Sequence, residues 1–153
     1  MEIIKATIKH TKEISRLMLS DLEKHNSKFP GEMISKFKEH AKEKNIIKEF
    51  KNSHLIAFIS KNEEKITGFI VGYEDNLQKN AMIHYITGTN IEKNELILNF
   101  IKECKLRNLD KIITDTFEFM DNNDFFKLND FLLTKKERIT PILEMFWYEL
   151  KLN

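Results

Sequence analysis

Ala81-Met82-Ile83-His84-Tyr85-Ile86-Thr87-Gly88-Thr89-Asn90-Ile91-Glu92-Lys93-Asn94 is the stretch on which the fold turns. Its first seven residues are apolar, β-branched or aromatic, and carry little charge. Such a run predicts a central strand covered on both faces. Gly88 ends it. Beyond the turn, Leu96, Ile97, Phe100, Ile101 and Cys104 recur at helical spacing and predict a long amphipathic helix. In a strand–turn–helix unit of this kind, a ligand sits at the carboxyl end of the strand and the amino end of the helix.

Upstream, Glu2 to Ile8 alternates as a first strand, with Ile4, Ala6 and Ile8 on one face. Thr11 and Glu13 open a helix striped by Ile14, Leu17, Met18 and Leu22, which Phe29-Pro30-Gly31 stops. A second helix is expected from Glu32 to Phe50. His54–Ser60 and Lys65–Tyr73 read as strands joined by the polar turn Lys61-Asn62-Glu63-Glu64, hence an antiparallel hairpin. Downstream, Lys111–Phe117 is a fifth strand. Asp121-Asn122-Asn123-Asp124 signals a helix start, and Leu132–Thr140 and Ile142–Leu152 are two final strands. The order β-α-α-β-β-β-α-β-α-β-β, with no repeat and no linker, defines one α+β (α/β) domain over residues 1–153. Its central sheet is mixed, largely antiparallel and flanked by helices.

Composition narrows the function classes. The 25 basic and 24 acidic residues leave a net charge of +1, which offers no electrostatic footprint for nucleic acid or an anionic membrane. Arg16, Arg107 and Arg138 are the only arginines, so bidentate phosphate clamps are scarce. No apolar run is long enough to cross a bilayer, and Met1-Glu2-Ile3-Ile4-Lys5 lacks the features of a secretory signal. Cys104, the single cysteine, lies on the apolar stripe of its helix and reads as a small hydrophobe. A soluble, cytoplasmic protein is expected. The histidines (His10, His25, His40, His54, His84) show no ligand spacing, so no metal is expected. Aromatic residues on both faces of the last strand leave apolar surface through which a second copy could form a homodimer.

Several pieces resemble one family. Leu55-Ile56-Ala57-Phe58 and Ile66-Thr67-Gly68-Phe69-Ile70-Val71-Gly72 are similar to the second and third strands of the GNAT superfamily of acetyl-CoA-dependent N-acetyltransferases. Ala81-Met82-Ile83-His84-Tyr85-Ile86 is similar to its fourth strand, and Phe125-Phe126-Lys127-Leu128-Asn129-Asp130-Phe131 to its aromatic short helix. The resemblance runs nearly end to end. It implies a GNAT-like fold and acetyl transfer from acetyl-CoA to the amine of a small molecule or peptide. It further implies that the backbone near Ile86 and Gly88 holds the pantetheine. Coenzyme A contacts would come from Ile86, Thr87, Gly88, Thr89, Asn90, Lys93 and Asn94, and the chemistry from His84 or Tyr85. Strict alternation sends those two side chains to opposite faces, so one of them faces the cleft.

The chain departs from the family in two places. The loop after Gly88 has no glycine and is about one helical turn shorter than the family's. Thr89 and Glu92 have capping-box spacing, which satisfies donors that a pyrophosphate would otherwise use. Lys93 is the residue left to meet phosphate there, and Asn90 or Asn94 can take the left-handed backbone that glycine would supply. The family's acidic tyrosine falls on Phe126 or Asn129, and neither is a hydroxyl acid. Two readings therefore stand: an N-acetyltransferase, or a catalytically degenerate member of the fold serving as a ligand-binding or interaction module.

Overall fold

The computed structural model describes residues 1–153. Its strands are β1 (Glu2–Lys5), β2 (Leu55–Asn62), β3 (Lys65–Asp75), β4 (Asn80–Thr87), β5 (Lys111–Phe117), β6 (Leu132–Thr140) and β7 (Leu143–Lys151). They form one sheet in the spatial order β1-β2-β3-β4-β5-β7-β6. Every neighbouring pair is antiparallel except β4–β5. A parallel pair needs a crossover, and α4 (Asn90–Leu106) supplies it. The remaining helices are α1 (Thr11–Lys24), α2 (Gly31–His40), α3 (Glu43–Glu49) and α5 (Asn122–Leu128).

Period-two burial divides the core between the two faces of the sheet. On one face Ile56, Ile70, Ala81, Ile83 and Ile86 meet Leu96, Ile97, Phe100 and Cys104 of α4, together with Phe125 and Phe126 of α5. On the other, Ile59, Phe69 and Val71 meet Ile14 of α1 and Ile46 of α3. Leu22, Ile34 and Ala41 join α1 to α2. Gly72 shows how tightly α4 seats. A Cβ there would lie 2.8 Å from the Phe100 ring and would overlap the Met82 carbonyl. Cys104 is fully buried, and burial pushes its thiol up to about 12, as expected for a packing residue.

The structure corrects several expectations. β1 stops at Lys5; Ile8 turns into a 3-10 segment and is exposed, because Thr7 and His10 cap one another there. The second helix is two. Ala41, wholly buried against α1, accepts a 2.6 Å hydrogen bond from the Ser15 hydroxyl, and Lys42 is extended, so the chain bends between α2 and α3. The last strand pairs with Leu132–Thr140 as expected, and it is an interior strand. β7 lies between β5 and β6, and Trp147 and Phe146 are covered by Glu137 and Lys136 of β6. The two edges of the sheet are β1 and β6.

Candidate functional site

β4 and β5 hydrogen-bond only from Asn80–Ile83 to Lys111–Thr114. The Thr114 hydroxyl donates to the Ile83 carbonyl (3.3 Å) at the last rung. Beyond it the strands part, so His84–Thr87 and Asp115–Phe117 face one another without a ladder. Unpaired backbone at a strand edge is a ready acceptor and donor for an extended ligand. β4 runs on into α4 and β5 into α5, so the gap continues upward between the first turns of those helices.

A β-bulge shapes the mouth. Val71 pairs with Tyr85 but Gly72 with Ile83, so His84 is an extra residue in β4. Ile83 and Ile86 both pack toward α4, while Tyr85 packs on the opposite face and His84 lies against Tyr73, near Glu49 of α3 and His40 of α2 on that same side. This overturns the expectation of opposite faces: the alternation holds only for a regular strand. His84 is exposed rather than buried, with its ring edge-on to Tyr73 at 4.9 Å. Its imidazole is held below the ordinary range by partial burial; Glu49 pulls the other way and His40 reinforces the drop. It is therefore neutral at pH 7. Tyr85 stacks on Phe69 and donates to the Asp21 carboxylate of α1 (3.4 Å). Burial and that carboxylate push its phenol upward, away from use as an acid near neutrality. Asp115 lies on the same face of the neighbouring strand. Burial, with Glu137 nearby, raises its carboxyl.

The turn after β4 is closed by the chain's own carboxylate. Gly88 has φ 134°, a conformation that a side chain resists, and a Cβ there would lie 3.1 Å from Glu92. The capping box is present: the Thr89 N–H donates to Glu92 (2.8 Å), and the Glu92 N–H to the Thr89 hydroxyl (3.3 Å). The other carboxylate oxygen of Glu92 accepts from Ser60 (3.1 Å), Asn62 (3.0 Å) and Thr67 of the β2–β3 hairpin. Burial pushes the Glu92 carboxyl up, but those hydrogen bonds outweigh it and leave the group below its usual range. Asn90 and Asn94 are both inside α4, so neither supplies a left-handed turn. Asn90 and Ile91 are exposed, and as first-turn residues their N–H groups have no acceptor in the helix ladder.

Lys93 does not point at that turn. The residue is 7% exposed, and its ammonium donates to Asn122 of α5 (3.0 Å) and lies 5.0 Å from the Phe125 ring centre. Asn94 in turn accepts from Asn129 (3.2 Å). α5 starts within Asp121–Asp124 as expected, though Asp121, just ahead of it, makes no side-chain cap bond. Asn123 does the joining. Its amide donates to the carbonyls of Phe117, Glu118 and Met120 (2.9–3.0 Å), and its oxygen accepts from Tyr148 (2.8 Å). No cluster of three or more His, Cys, Asp or Glu is placed to hold a metal ion. Sequence reasoning missed Asp21, Asp115 and Asn122. Only Asn122 had a signal, as part of the Asp121–Asp124 helix start.

At the level of sequence no family model matches the chain, nor does any curated protein. Solved structures do match in shape. The aminoglycoside 6'-N-acetyltransferase of Enterococcus faecium superposes with a TM-score of 0.79 at 12% identity, covering 100% of this chain and 98% of that one. The paiA N-acetyltransferase of Thermoplasma acidophilum, solved with coenzyme A, gives 0.74 at 16% identity over 98% of each chain. The ribosomal-protein-S18-alanine N-acetyltransferase of Escherichia coli gives 0.76 at 11% identity over 99% of this chain and 93% of that one. The chain has the fold of the GNAT acetyltransferases.

Proposed function

We propose that the protein is an N-acetyltransferase that moves an acetyl group from acetyl-CoA to the amine of a small molecule or peptide. The observation that carries this reading is the mouth between β4 and β5. An unpaired strand edge runs beside a bulge that turns His84 and Tyr85 the same way, on a fold whose neighbours include complexes with coenzyme A. The pantetheine would lie along Ile86–Gly88 as an added strand, and His84, already neutral, would take the proton from the attacking amine. The nitrogen attacks the thioester carbon, the C–S bond breaks, and the thiolate leaves. Neither Phe126 nor Asn129 offers that thiolate a proton, so water supplies it.

Glu92 favours a second reading, a ligand-binding or interaction module of the same fold, because it satisfies the turn at which a pyrophosphate would dock. Melting the protein with acetyl-CoA separates the two. A ligand held only by the folded state, at a hundredfold its dissociation constant, stabilises by about 2.7 kcal/mol and raises Tm visibly. An unchanged Tm at millimolar acetyl-CoA would sink the acetyltransferase reading.

A further inference from the structure

The gap between the first turns of α4 and α5 is already occupied. On the acetyl-CoA reading, a pantetheine arm laid along the free edge of β4 would leave past Gly88 and between the first turns of α4 and α5. The Lys93 side chain crosses it from α4 to α5, ending on Asn122 at 3.0 Å. The Asn94–Asn129 bond, 3.2 Å, closes the same seam at the other end of α5. An ammonium carries three donors, and this one has a single hydrogen-bond acceptor in the protein. Lysines are almost never this buried without a paired charge. Here the carboxylates of Asp121, ahead of α5, and Asp21 of α1 oppose the effect of burial, and neither forms a salt bridge to it. The Phe125 ring gives the ammonium a π face instead.

Resting on the acetyl-CoA reading above, we propose that Lys93 is a built-in plug: in the free protein its side chain fills the slot of the thioester's pantetheine arm. It must leave Asn122 before a donor enters. The side chain is then an obstacle to coenzyme A, the reverse of a phosphate ligand. Apparent affinity falls by the fraction of molecules standing open. A slot open in about one molecule in ten weakens binding about tenfold.

Calorimetry with coenzyme A and with pantetheine, which lacks the pyrophosphate, tests this on the whole chain. Lys93→Ala should bind both ligands about tenfold more tightly than the wild type, because both carry the arm that the plug excludes. Asn122→Ala, which keeps the lysine but removes its anchor, should move both affinities in the same direction. It also serves should Lys93→Ala fail to fold. If Lys93→Ala weakens coenzyme A and leaves pantetheine unchanged, the lysine is a phosphate ligand and the plug is wrong. Wild type and variants that bind equally well also overturn it, while the acetyl-CoA reading survives. If no variant binds either ligand, the plug and that reading fall together.

Discussion

Glu92 is the residue that closes the turn after β4. A buried carboxylate is tolerable only when its lone pairs are filled, and four partners from β2, β3 and the α4 cap fill them. Hydrogen bonds to a charged group are each worth about 1.5–3 kcal/mol, and removal strands the partners. Glu92→Ala should therefore lower stability by about 3 kcal/mol, read from the urea midpoint. An ordinary cap loss would be nearer 1 kcal/mol. The pH dependence follows from the direction of the shift. Because the folded carboxyl titrates below its ordinary 4.5, its contribution is full above that value and is lost as pH falls through the folded value. Glu92→Gln should flatten that acid limb. The Thr89–Glu92 half of this arrangement is legible in the sequence because its partners are three residues apart. Ser60, Asn62 and Thr67 lie 25–32 residues upstream, and only the folded sheet brings them to the carboxylate. His84 carries a companion prediction. If it is the base, His84→Ala should cut kcat about a hundredfold. In the wild type the acidic limb of kcat/KM should lie below the imidazole's ordinary 6.5, since protonation disables it.

Among the elements, those set by local pattern were readable. β5 and β6 run over Lys111–Phe117 and Leu132–Thr140 as the alternation and turn signals predict. The bulge in β4 was not readable, because it is a mismatch of register with β3, and register is a property of the pair. Gly72, opposite the bulge, is its only trace in the sequence. The break between α2 and α3 escaped for a similar reason: Ala41 favours a helix, and only its contact with Ser15 turns the chain. Packing at Gly72 gives a direct test. Gly72→Ala sets a methyl against Phe100 and the Met82 carbonyl, so α4 and β4 must shift. Overpacking of this kind costs about 1–3 kcal/mol, visible as a lower Tm. Phe100→Leu in the same chain should recover part of it.

At the scale of the molecule, the order of elements was enough to name the architecture, since short antiparallel links and one crossover leave few topologies. The site was less legible. Its parts come from α1, β4, β5, α4 and α5, and their meeting depends on where one ladder ends. That ladder has a mechanical consequence. β1–β4 form one leaf and β5–β7 the other, and the backbone stitching between them is the short ladder of Asn80–Ile83 against Lys111–Thr114, extended by the Asp110 N–H donating to the Lys79 carbonyl (2.7 Å). The short ladder acts as the spine of a book, with α4 and α5 as covers above the open pages. This ladder has four register pairs, as few as β1–β2, so thermal breathing or an applied pull has few backbone bonds to break there. Anything wedged between the pages touches both leaves at once and works as a splint, which couples occupancy of the cleft to the cohesion of the whole chain.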